Sequence, residues 1–276
     1  MKPAPFDYRR PDTVEAALAA LAGSGGVAKA VAGGQSLGPM LNLRLAQPAE
    51  LIDLGGIAAL RECLDAGTSV QLGAGITHAQ IEDGRIPDPS RGLMSFVARG
   101  IAYRAVRNRG TLGGSLAHAD PAADWINVMA LLDATCIVMG PRGRREIAQR
   151  DWMAGAFTTA LADDEVLLGV RIARLSPGAR WSYYKVNRKP GEFAEAICAF
   201  VDDGAQGRRR AVIGAIDGAP FVIADAGALI ERWDEALAHR HLCEAGLEPG
   251  TLEYQLHAVA LRRAAAALAV FTGEGA

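Results

Sequence analysis

The chain has 276 residues, half of them apolar and 22% charged, and 29 Lys and Arg against 31 Asp and Glu leave a formal net charge of −2. That balance excludes a disordered chain and, lacking a basic excess, offers no nucleic-acid surface. The length suits one large domain or two small ones, and the 32 glycines exceed the usual share of ~7%, so many belong in turns or where backbone meets a ligand.

The opening MKPAPFDYRRP has no apolar stretch of the kind a signal peptide needs. Asp12 followed by Glu15 reads as a capping box for a helix over residues 13–22, which Gly23-Ser24-Gly25-Gly26 ends. Residues 27–32 read as a short buried strand. After Gly33-Gly34-Gln35-Ser36, the spacing of Leu37, Met40, Leu41 and Leu45 predicts a helix, and residues 50–54 (ELIDL) a second strand. This order makes a small α/β unit with parallel strands.

From Ser69 the texture changes. Residues 69–73 read as a strand, Thr77 starts a short helix, and residues 93–98 form another. A run dense in Arg, Asn and Gly spans residues 104–115. It is followed by a helix over 122–132, a strand over 135–139, and a strand over 165–172 that closes the first region. Ser176-Pro177-Gly178 is the candidate linker. Beyond it, residues 181–186, 194–201 and 209–216 read as three strands, with Asp202-Asp203-Gly204 as a tight turn between the last two. Helices over 224–239 and 251–271 finish the chain, and no internal repeat is evident.

No apolar run approaches the ~18 residues of a membrane span; the longest, 264–271, has eight. Cys63, Cys136, Cys198 and Cys243 form no CxxC pattern, which argues against a zinc ribbon, an iron–sulfur cluster on this chain or a disulfide scaffold. Of five histidines only His239 and His241 lie close together, in a charged stretch expected on a helix surface, so no metal site is expected. The chain reads as a soluble, reduced, cytoplasmic protein.

Two glycine-rich segments carry the chemistry. Ala32-Gly33-Gly34-Gln35-Ser36 follows a strand and opens a helix, where free N–H groups favour an anion and the glycines keep side chains off a phosphate. The bland alternative is a turn with Ser36 as helix cap. The segment is neither GxGxxG nor a P-loop. Thr111-Leu112-Gly113-Gly114-Ser115 offers two hydroxyls and bare amides with Arg107 and Arg109 nearby; the alternative is an irregular connection with solvated arginines. Downstream lie His118, Asp120 and Asp124, and a carboxylate at Asp124 also suits the first turn of a helix on dipole grounds alone. Two separated phosphate-friendly segments suggest a pyrophosphate gripped from both sides.

AGGQSL at 32–37, RNRGTLGGSLAHADPAADW at 107–125 and the stretch Tyr184-Lys185-x-x-Arg188-Lys189-x-Gly191-Glu192-Phe193-Ala194 together resemble the FAD-binding medium subunit of molybdenum-containing hydroxylases, of the carbon monoxide dehydrogenase and xanthine dehydrogenase type. The resemblance runs the length of the chain. It implies an α+β protein. Residues 1–175 would be a PCMH-type, vanillyl-alcohol-oxidase-like FAD-binding domain with subdomains at about 1–55 and 56–175. Residues 176–276 would be a C-terminal domain with a three-stranded antiparallel sheet and helices.

By the same resemblance Ala32, Gly33, Gly34, Gln35, Ser36 and Leu37 hold the pyrophosphate from one side, and Thr111, Leu112, Gly113, Gly114 and Ser115 from the other. Asp124 bonds the adenosine side with Ile101 as an apolar neighbour, Leu167 and Lys185 line the flavin, and Phe193 lies beside its ring, able to stack but not to hydrogen-bond. With no His or Cys in either segment, non-covalent FAD is expected. The implied partners are a large molybdenum-cofactor subunit and a small subunit with two [2Fe-2S] clusters, in a dimer of heterotrimers, the chain relaying electrons from the clusters through FAD to an external acceptor. A stand-alone flavin oxidase and a cofactor-less scaffold are the competing readings. Tyr183, Tyr184, Glu192, Glu195 and His257 are too scattered for an acid/base set.

Overall fold

The computed structural model describes residues 2–271. The chain first lays down β1 (Asp7–Arg9), α1 (Val14–Gly23), β2 (Ala28–Val31), α2 (Leu37–Asn42) and β3 (Glu50–Asp53), and the strands pair in parallel in the order β1-β3-β2. Ala17, Ala20 and Leu21 of α1 pack with Ile52 in a small core. The cap of α1 is Thr13, whose hydroxyl accepts the Ala16 N–H at 3.1 Å, and not Asp12 with Glu15; the residue adjoining the first turn is the one that reaches its free N–H groups. α2 stops at Asn42 rather than running to Leu45, because Arg44 turns into the left-handed region (φ 57°). β1 escapes sequence reading because all three of its residues are exposed at a sheet edge and show no alternation.

The middle of the chain forms β4 (Cys63–Asp65), β5 (Ser69–Gly73), α3 (His78–Glu82), α4 (Leu93–Arg99), α5 (Arg104–Arg107), α6 (Leu112–His118), α7 (Asp124–Leu131), β6 (Thr135–Gly140), β7 (Gly143–Ala148), the short hairpin β8 (Met153–Gly155) and β9 (Thr158–Thr159), and β10 (Val166–Ala173). Its antiparallel sheet has the order β4-β5-β10-β6-β7, so the last strand in sequence lies at the centre. The helices bury Leu93, Met94, Leu112, Leu116 and Trp125 in one cluster with Leu72, Val138 and Trp152. β7 (GRREIA) is an edge strand whose first four residues are exposed, which hides it from hydrophobic patterning.

The last part comprises β11 (Arg180–Val186), β12 (Ala196–Asp203), β13 (Arg208–Gly214), β14 (Phe221–Ile223), α8 (Gly227–Glu231), α9 (Glu235–Glu244) and α10 (Leu252–Ala269). The three predicted strands are joined by a fourth, β14, a three-residue edge strand too short to register as a pattern. The β12–β13 connection runs through Gly204–Gln206 to Gly207, which supplies φ 65°, so Asp202 and Asp203 belong to the strand and not to the turn. The single helix expected over 224–239 is two, because Asp234 caps a new start at α9 by accepting the Ala236 and Leu237 N–H groups. α10 begins at its Thr251 cap and places Ala260, Leu261, Ala264 and Leu268 at helical spacing against β11 and β12. Burial of each leucine there is worth about 1.5–3 kcal/mol.

α7 packs on β12 and β13 and also touches α6, and all eight of its residues are buried. Asp124 stands at its first position. A carboxylate is therefore delivered to the interior by a helix that has no solvent face.

Candidate site at the glycine turns

β2 ends at the first glycine turn, on the carboxyl edge of the parallel sheet. Gly34 takes φ 70°, and the Gln35 side-chain amide donates back to the Gly33 carbonyl at 2.9 Å. Ser36 precedes α2 but makes no side-chain cap, which leaves its hydroxyl free. Among the described residues, none of the backbone N–H groups from Gly33 to Leu37 has an acceptor. Five consecutive half-buried or exposed donors without partners are an anion-binding arrangement.

The two glycine segments meet. A Cβ on Gly33 would lie 2.1 Å from the Arg109 carbonyl oxygen and 2.8 Å from the Gly110 Cα. A Cβ on Gly114 would stand 3.7 Å from the Ala32 methyl. The sequence thus pairs segments some eighty residues apart correctly, but the second is not a loop of bare amides. Thr111 caps α6 by accepting the Gly114 N–H at 3.0 Å, Leu112 N–H donates to the Ile76 carbonyl at 2.9 Å, and Gly113 N–H donates to that of Ala74 at 2.8 Å. These donors are consumed because the segment lies flat against residues 74–76. What faces outward is hydroxyl chemistry: Ser115 Oγ has no partner among the described residues.

A buttress that sequence reading missed sits beneath. His78 is 6% exposed, and its Nδ1 accepts the Trp125 indole N–H at 2.9 Å. Its ring fills the space where a Gly110 side chain would stand, 2.8 Å from the ideal Cβ. Arg107 forks onto Glu82 at 2.8 and 2.9 Å and donates to the Ile101 and Ala102 carbonyls, while Arg104 ties to both Glu82 and Asp83 at 2.7 Å. Bonding to Arg107 first, and then to Arg104, holds the Glu82 carboxyl below its usual range. Arg107 is therefore committed to the frame and is not a phosphate contact.

Burial, and secondarily the Arg107 charge, push the His78 imidazole down to about 4 from its usual 6.5. An unfolded chain takes up this proton below about pH 6.5, whereas the folded one resists to about 4. The stability it contributes is complete above pH 6.5 and is lost as pH falls through that window, on the order of 3 kcal/mol in all. Urea titrations at stepped pH should show a shallower fall between pH 6.5 and 4 in His78→Gln than in the wild type; parallel curves would disprove it.

Asp124, 6% exposed, accepts the Tyr183 hydroxyl at 2.7 Å and the Lys185 ammonium at 2.8 Å. Burial raises the Asp124 carboxyl, with the ammonium opposing. Burial and the Asp124 charge push the Tyr183 phenol well above 10, so it stays a donor. Tyr183 was legible as the i−2 neighbour of Lys185 on the same strand face, a signal sequence reading passed over. The direct contact brings together two residues that the resemblance had assigned separately, Asp124 to the adenosine side and Lys185 to the flavin.

The remaining residues divide. Leu167 is 5% exposed and packed in the core beside a bulge in β10, so its side chain lines no open site. Ile101 is half-buried and bridges to Gly191, with Ala102 N–H donating to the Gly191 carbonyl at 3.1 Å. That bridge anchors the segment carrying Phe193, which is 61% exposed and lines an open depression with Arg188, Glu192 and Glu195. Among the described residues, no group of three or more His, Cys, Asp or Glu is placed to hold a metal, and no helix is long and apolar enough to cross a membrane.

A turn of unpartnered amides meeting a second, capped glycine turn is an arrangement suited to a phosphate-bearing ligand. Residues 4–174 match the model of the FAD binding domain in molybdopterin dehydrogenase, and the chain belongs to that family. It is 37% identical over 201 residues to the carbon monoxide dehydrogenase medium chain of Hydrogenophaga pseudoflava, covering 73% of this chain and 70% of that one. To the nicotine 6-hydroxylase medium subunit of Paenarthrobacter nicotinovorans it is 39% identical over 191 residues, 69% of this chain and 67% of the relative. Among solved structures, carbon monoxide dehydrogenase from Hydrogenophaga pseudoflava superposes with a TM-score of 0.89 at 30% identity, over 97% of this chain and 98% of that one. Quinoline 2-oxidoreductase from Pseudomonas putida 86 gives 0.83 at 31%, over 98% of each.

Proposed function

We propose that this chain is the FAD-carrying electron-transfer subunit of a molybdenum hydroxylase, with residues 1–175 as the cofactor-binding part (subdomains about 1–55 and 56–175) and 176–276 as the C-terminal domain. The observation that carries the proposal is the row of unpartnered amides from Gly33 to Leu37, set against the Thr111–Ser115 turn. Gly33, Gly34, Gln35, Ser36 and Leu37 bind the pyrophosphate through N–H groups, with Ala32 packing beside Gly114. Thr111 and Ser115 add hydroxyls from the facing side, while Leu112 and Gly113 brace that side through their own bonds. Asp124 and Lys185 act together at one place, Lys185 presenting its remaining N–H donors and Asp124 fixing its position. Ile101 holds the Gly191 turn, and Phe193 shields the ring side.

FAD, when bound, supplies the redox chemistry, accepting electrons from a donor and passing them on. The protein's part is to hold and orient it and to limit water. Non-covalent attachment follows from two turns without His or Cys. The donor is a small partner with two [2Fe-2S] clusters, itself fed by a large molybdenum-cofactor subunit that meets the substrate, in a dimer of heterotrimers located in the cytoplasm. Carbon monoxide, aldehydes, purines and other N-heterocycles are the substrate classes to screen.

Purification of the native complex tests this directly. The expected result is two partner chains, yellow colour that acid precipitation releases completely to the supernatant, and flavin bleaching by substrate in the complex but not in the isolated chain. An isolated chain reduced at a comparable rate by an aldehyde or N-heterocycle would make it a self-sufficient oxidase instead.

A further inference from the structure

The first glycine turn, AGGQSL, brings N–H donors but no positive charge, whereas a dinucleotide brings a diphosphate. Three arginines lie in the run 104–109, and they are not equivalent. Arg104 and Arg107 are saturated by Glu82, Asp83 and backbone carbonyls. The Arg109 side chain is exposed and, among the described residues, makes neither an ion pair nor a hydrogen bond. Its backbone is fixed, since its carbonyl is the group pressed against Gly33.

The Tyr8 phenol on β1 is bonded to Asp53, which raises it, and the opposing positive charges felt there are those of Arg10 and Arg109. With its backbone carbonyl against Gly33, just beyond the end of β2, Arg109 stands by the carboxyl ends of the parallel strands, where ligands of such sheets dock. Its neighbours there are committed: Arg10 to Asp53 at 3.6 Å and the Gly55 carbonyl at 3.4 Å, Arg61 to that carbonyl at 2.8 Å.

We propose that Arg109 is a specificity-determining residue whose guanidinium binds the diphosphate, so that the chain takes FAD in preference to riboflavin. The proposal rests on the FAD reading above. A planar fork of donors matches phosphate oxygens and adds the charge that backbone amides lack.

The test titrates the flavin-free full chain and its Arg109→Gln and Arg109→Lys variants with FAD and riboflavin at low and high salt, alongside melting curves. The expected result is at least tenfold weaker FAD binding in Arg109→Gln at low salt, a flattened salt dependence, partial recovery in Arg109→Lys, and unchanged riboflavin affinity and melting temperature. Wild-type FAD affinity and salt dependence in Arg109→Gln would overturn the proposal. So would equal losses for FAD and riboflavin with a lowered melting temperature, which would make the residue structural. A wild-type chain that binds riboflavin as tightly as FAD at both salt concentrations would overturn the FAD reading itself.

Discussion

Gly33→Ala is expected to weaken FAD binding at least a hundredfold, about 2.7 kcal/mol. The new methyl would meet the Arg109 carbonyl at 2.1 Å, and both groups are backbone, so no side chain can swing aside. The contact that holds the two turns together has to open, at a folding cost of about 1–3 kcal/mol typical of overpacking. Gly23→Ala is the matching control, because nothing lies within 4 Å of a methyl there. Fluorescence titration with FAD decides the matter: equal affinity in Gly33→Ala and Gly23→Ala would mean that the seam between the turns does not support the cofactor.

Asp124→Ala should destabilise the fold by about 3–5 kcal/mol, since it removes the carboxylate that accepts from Lys185 and Tyr183, both largely enclosed. The cost comes from the charge left behind more than from the attraction lost. Replacing the pair together, Asp124→Leu with Lys185→Met, should therefore restore at least half of the stability, because an apolar pair of similar volume has no charge to desolvate. Urea unfolding measures both. A single variant within about 1 kcal/mol of wild type would show that water reaches the pair.

The sequence made the two glycine segments legible because each is a local signal, glycines beside hydroxyls at a strand or helix end. It could not show which of their amides are free, since that depends on Ala74 and Ile76 lying beneath Gly113 and Leu112. Nor could it show that Asp124 and Lys185 touch, because the contact is made by a buried helix and a strand of a different sheet. The burial of Leu167 was equally illegible: a bulge at Leu167–Gly169 decides which face each side chain takes, and bulges leave no mark on hydrophobic alternation. Strands with apolar runs were legible, β12 within the stretch 194–201 and even the edge strands β2 and β11, whereas the edges β1, β4, β7 and β14 are short or polar and leave no pattern.

The central place of β10 has a consequence for how the chain comes to hold its cofactor. β5 pairs with β10 through Gly73 and Gly169, and the Ala74 N–H, at the base of the second glycine turn, donates to the Leu168 carbonyl at 2.9 Å. Both turns leave the ribosome well before that partner strand exists. Until it arrives the sheet is split, with β5 and β6 lacking the neighbour that joins them, and the closure entropy of the long intervening segment is still to be overcome. Flavin capture is thus expected only after synthesis of the whole first region, the segment from β5 to β6 waiting until then for its central partner.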